Sequence, residues 1–126
     1  MKAIKVFLAV AVSAFLLPGS ANAVELDKLK VLYLGDQGTA RAQHFAGFLK
    51  LNVGCVEALS RVTFKPEQAD EFDVVLLDWP QSDLARDDRL RRAPLGDRAA
   101  WTKPTVLLGS AGLNLAVVWK VRGGSG

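Results

Sequence analysis

Three short apolar runs constrain this chain more than any other feature of its sequence. Residues 30–35 (KVLYLG), 73–78 (DVVLLD) and 105–108 (TVLL) each hold consecutive branched or aromatic apolar side chains without polar alternation. A strand with one wetted face alternates; a continuous run has both faces covered, as in a parallel sheet. Helix signals separate the runs. Residues 39–51 place Ala42, Phe45, Ala46 and Leu49 at helical spacing behind Thr39, a suitable N-cap. Gly54 then suits a left-handed C-cap. A less regular strand is expected within 55–64, and a short helix over 66–71 with Pro66 in its first turn.

Trp79-Pro80 takes the chain out of the sheet after the second run. Residues 81–103 are polar, with five Arg and four Asp, and read as a helix followed by a loop. Both signs are mixed in 86–92, the mark of a solvated helix with internal ion pairs. The third run passes through Gly109-Ser110-Ala111-Gly112 into a last helix over 113–120. Strands alternating with helices predict an α/β domain built as a three-layer, doubly wound, flavodoxin-like parallel sheet. Internal repeats and low-complexity tracts are absent from the sequence.

The first 23 residues belong to a different physical problem. Lys2 and Lys5 precede a 12-residue run, 6–17, interrupted only by Ser13; Pro18-Gly19 and Ala21-Asn22-Ala23 follow. This is the layout of a secretory signal cleaved before Val24, and the run is shorter than the about 20 residues a membrane span needs. Residues 24–126 then form one domain, periplasmic or secreted, with no stable membrane insertion after cleavage. The net charge of +3 falls to +1 once Lys2 and Lys5 leave, which gives no basic field for nucleic acid. The Gly-rich end, Gly123-Gly124-Ser125-Gly126, reads as a turn towards a further element.

Cys55 is the single cysteine and His44 the single histidine. An internal disulfide and a Cys/His zinc site are therefore excluded, and the apolar setting of Cys55 predicts burial. No cofactor is indicated.

Ligands of such sheets bind beyond the carboxyl ends of the strands. Asp36, Asp78 and Ser110 fall there, so a ligand-binding rim of Asp36, Gly38, Thr39, Asp78 and Ser110 is expected; as strand-end residues they equally suit helix capping. Asp36 and Asp78 are also weak candidates for holding a metal. Gly35-x-x-Gly38-Thr39 allows backbone N–H groups to face an anion, or simply makes a tight turn. Ser110 sits at an elbow-like strand–helix turn, though Leu108 takes the first glycine of a GxSxG pattern. Trp79, Trp101 and Trp119 read as packing residues.

Two family resemblances arise at these motifs. Residues 72–80 (FDVVLLDWP) resemble the acceptor strand of response-regulator receiver domains. That resemblance implies Asp78 as phospho-acceptor, Asp36 as one metal-binding acid and Ser110 as the switch hydroxyl; Gly35 stands where the second acid is usual. Residues 28–118 more broadly resemble class I glutamine amidotransferase-like domains, including the ThuA-like group of exported bacterial proteins. There Ser110 or Ala111 stands in place of the catalytic cysteine, implying no amidotransferase activity. The expectation is an exported module that binds a small molecule or a protein partner; the alternatives are a serine hydrolase using Ser110 and a divergent receiver using Asp78.

Overall fold

The structure is a computed structural model that describes residues 25–80 and 93–121. Four parallel strands form one sheet in the order β2-β1-β3-β4: β1 is Lys30–Gly35, β2 Cys55–Ser60, β3 Val74–Trp79 and β4 Thr105–Gly109. Helix α1, Ala40–Asn52, joins β1 to β2, and helix α2, Ala111–Val118, follows β4. A 3₁₀ turn, Pro66–Ala69, stands where the short helix was expected. The α/β class and the parallel sheet are as the apolar runs predict, and the arrangement is consistent with a flavodoxin-like fold.

Strand β1 is central because its residues can be buried from both sides. It pairs with β2 from Lys30↔Cys55 to Gly35↔Ser60 and with β3 from Val31↔Val74 to Leu34↔Leu77. Its side chains alternate between two cores. Leu32 and Leu34 join Val75, Leu77, Trp79, Phe64, Leu95, Ala111 and Leu115 on one face. Val31 and Tyr33 join Ala42 and Leu49 of α1 on the other. Each fully buried Leu or Val contributes about 1.5–3 kcal/mol relative to exposure.

Local chemistry sets the helix boundaries. Gly38 takes a left-handed φ of 86°, and the Thr39 hydroxyl accepts the Ala42 N–H at 3.2 Å, so Thr39 is the N-cap of α1. Helix α2 starts at Ala111 and ends at Val118, two residues before the expected span at each end. The tryptophans pack as expected. Trp79 is buried, the Trp101 indole stands edge-on to Phe64, and Trp119 Nε1 donates to the Gly96 carbonyl at 2.8 Å.

Four expectations are corrected. Cys55 is exposed rather than buried, because it opens an edge strand. Residues 105–108 are not fully covered: β4 is the other edge, and Val106 and Leu107 are each 45% exposed. Gly54 does not take the left-handed conformation; it is needed because a Cβ there would overlap the Asp27 carbonyl. Strand β3 continues through Asp78 to Trp79, so Asp78 lies within the strand and not beyond its end. The helix expected in the first part of 81–103 and the charged stretch 86–92 fall largely outside the described residues.

Candidate functional site

Asp78 is the centre of the site. It points to the α1 face of β3 and is only 2% exposed, so its charge needs partners. Tyr33 Oη donates to its Oδ2 at 2.7 Å. Arg41 Nε, reaching over from the first turn of α1, donates to Oδ2 at 2.7 Å and Oδ1 at 3.0 Å. The Tyr33 ring stacks on Phe45 at 5.9 Å between centroids, and the Arg41 guanidinium lies 5.1 Å over that same Phe45 ring.

Gly35 makes the arrangement possible. A Cβ at this position would lie 2.6 Å from Tyr33 Oη, far inside contact distance. The residue that takes the place of a second acid in the receiver pattern is therefore a space-maker for the tyrosine. Burial, followed by the hydrogen bond to Asp78, pushes the Tyr33 phenol well above its usual range. The hydrogen bond to Asp78 likewise raises Arg41.

Asp36, one residue beyond β1, has its own cation: Arg61 Nη2 lies 2.9 Å from Asp36 Oδ1. Arg61 is itself buried, 7% exposed, with its guanidinium 5.1 Å over the Trp79 ring. The two carboxylates thus do not share a cation between them; each is held by a separate arginine. Among the described residues no group of three or more His, Cys, Asp or Glu is placed to hold a metal.

Ser110 stands one residue beyond β4, its N–H donating to the Trp79 carbonyl at 3.0 Å, and its side chain caps no helix N–H. Gly109 brings the β4 backbone against the pair: a Cβ there would meet Trp79 O at 3.3 Å, Arg41 Nη2 at 3.5 Å and Asp78 Oδ1 at 3.7 Å. Asp36, Asp78 and Ser110 all stand at the carboxyl end of the sheet, while Gly38 and Thr39 are occupied in starting α1. Among the described residues, no hydrogen bond joins His44 to Ser110.

Beside Arg41 opens a cavity of about 660 Å³, lined among the described residues by Arg41, His44, Phe45 and Phe48. These side chains recur along one flank of α1, the flank from which Arg41 reaches β3. A smaller cavity of about 100 Å³ lies on the other flank, between Gln43 and Ala46 of α1 and Ala58 and Leu59 of β2. Tyr33, Arg41 and Arg61 are the site residues that sequence reasoning missed. Tyr33 reads simply as a core aromatic within an apolar run, and neither arginine lies near its acid in sequence.

No protein-family model, curated protein or solved structure matches this chain. Among the described residues no helix is long and apolar enough to cross a membrane.

Proposed function

We propose that the chain is an exported ligand-binding module without chemistry of its own, built on a three-layer, doubly wound, flavodoxin-like plan. The observation that carries this reading is the fixed Arg41 beside the 660 Å³ cavity. Asp78 holds Nε, and the guanidinium lies over the Phe45 ring at the border of a space that Phe45 and Phe48 also line. A cavity with apolar walls and few polar groups is the usual form of a small-molecule site. An amphipathic organic anion fits: its carboxylate on the outer guanidinium edge, its apolar body on the two phenylalanines. The enzymatic alternatives draw less support, because Asp78 is buried with both oxygens engaged and Ser110 has no described base.

The test is titration with octanoate and phenylacetate, followed by NMR shifts of the α1 amides. Saturable shifts that weaken at least tenfold in Phe48→Ser, an exposed position, support the reading; equal shifts in wild type and variant defeat it. Acetyl phosphate with Mg²⁺ should leave Asp78 unmodified, and an adduct would restore the receiver alternative. Ester hydrolysis abolished by Ser110→Ala would restore the hydrolase. Export is tested by N-terminal sequencing of the secreted or periplasmic protein, which should begin at Val24.

A further inference from the structure

Very few groups set the charge around the α1 cavity. Arg41 Nε is bound to both oxygens of Asp78, so this arginine and its acid are neutral as a unit. The Tyr33 phenol, its pKa raised by burial and by Asp78, stays uncharged. Lys30 and Glu57 lie on the opposite face of the sheet, since their strand neighbours Val31, Val56 and Ala58 pack with the α1 core. Asp36 is paired with Arg61, and residues 104–119, which include β4, contain no charged side chain. On α1 itself the other charged residue is Lys50, which is not among the described residues that line the cavity.

His44 lines the same cavity as Arg41. It stands three residues after Arg41, a spacing that makes two side chains neighbours on a helix surface, and it is exposed, so it exchanges protons with solvent. It is the single histidine of the chain, and histidine is the side chain whose ordinary charge change falls between about pH 5 and 8. A proton on His44 therefore gives a wall of no net charge, Arg41 with Asp78 behind it, a charge of +1. An arginine without a counter-charge would attract anions equally throughout this range. An arginine already engaged by a buried carboxylate offers N–H donors in a fixed place but little field, and the histidine proton then decides how strongly an anion is held.

We propose that His44 is the pH sensor of the α1 cavity: an organic anion is held more tightly when His44 is protonated and is released as pH rises through the histidine range. The inference rests on the ligand reading above and adds its regulation. The bound anion favours the imidazolium over the neutral ring, so binding takes up a proton, and by reciprocity affinity rises as pH falls. The head group meets Arg41 and His44, while the apolar body meets Phe45 and Phe48, so pH acts on the head-group contact alone. The expected gain is about fivefold, the factor for one unit charge about 4 Å away in water, and salt should diminish it.

The probe is hexane-1-sulfonate, whose own charge is constant, titrated at fixed ionic strength between about pH 5.5 and 8 and followed by NMR shifts of the α1 amides. Wild type should bind about fivefold more tightly at the acid end. His44→Gln should bind with the same affinity at both ends of the range. His44→Lys, which keeps its charge throughout, should also lose the pH dependence and should bind more tightly than His44→Gln. Both substitutions fall at an exposed position and should leave circular dichroism unchanged. Saturable wild-type binding of equal strength at both ends of the range overturns the sensor and leaves the ligand reading intact. A pH dependence that persists in His44→Gln belongs to another group and overturns the sensor equally. An absence of saturable binding at every pH overturns both readings.

Discussion

Replacing Tyr33 by Phe removes one oxygen from the protein and, with it, a 2.7 Å hydrogen bond to a buried carboxylate. The ring remains free to stack on Phe45, and Arg41 remains bound to Asp78 through Nε. The change therefore isolates one charge-assisted bond, for which about 1.5–3 kcal/mol is usual. Asp78 keeps its main counter-charge, so a loss of about 2 kcal/mol is expected, or about 8–16 °C in Tm for a domain of this size. Urea denaturation followed by tryptophan fluorescence measures it directly, with the midpoint lowered and the slope unchanged. A double-mutant cycle with Asp78→Asn should return a coupling of at least about 1 kcal/mol. Stability within about 0.5 kcal/mol of wild type, the range of an ordinary surface substitution, would mean that the carboxylate draws nothing from the phenol, and the account of the site would fail.

Three further outcomes follow from the same geometry. Tyr33 is the only tyrosine, so absorbance at 295 nm reports it alone: burial and Asp78 raise its pKa, phenolate should be absent while the chain is folded at pH 10–11, and ionisation should coincide with unfolding. The sign follows from the raised value. The native state holds this proton more tightly than the unfolded chain, so its contribution is intact below the ordinary tyrosine pKa of about 10 and is lost as pH rises beyond it; an unshifted spectroscopic titration in the folded protein would contradict this. Gly35→Ala should cost about 1–3 kcal/mol by overpacking against the Tyr33 hydroxyl and the ring carbons beside it, and the cost should shrink in a Tyr33→Leu background, where the clashing ring edge is gone; equal costs in both backgrounds would refute the space-making role. Val75→Asp should abolish cooperative unfolding by burying an unpaired charge, whereas Leu107→Asp should fold, a contrast readable by circular dichroism.

The sheet was legible in the sequence because strands buried on both faces leave unbroken apolar runs, and 30–35 and 73–78 are such runs. Edge position was not legible: 105–108 is as apolar as the central strands, yet its place in the sheet depends on which strands pair, a non-local property. The α1 boundaries were readable from Gly38 and Thr39, where backbone freedom and a hydroxyl act within a few residues. For Gly54, the close approach of the Asp27 carbonyl decides, and a local cap rule could not find it. The site was half visible. Asp36, Asp78 and Ser110 were locatable as strand-end residues from topology, but their partners were not. Arg41 lies 37 positions from Asp78 and Arg61 25 positions from Asp36, distances over which sequence periodicity says nothing.

The order in which β1 acquires its neighbours bears on kinetics. Its partners in β2 lie 25 positions away (Lys30 with Cys55), those in β3 lie 43 away (Val31 with Val74). The shorter loop closes at lower entropic cost, so β1, α1 and β2 are expected to associate first and to receive β3 as a later event. Until β3 docks, Arg41 and Tyr33 stay hydrated and the Asp78 carboxylate remains in water. The ion pair is then assembled on the native side of the folding barrier, and weakening it should leave the folding rate of Tyr33→Phe close to wild type. Nearly all of the lost stability should appear as faster unfolding, about thirtyfold for 2 kcal/mol, so the triad would act chiefly as a brake on the escape of β3.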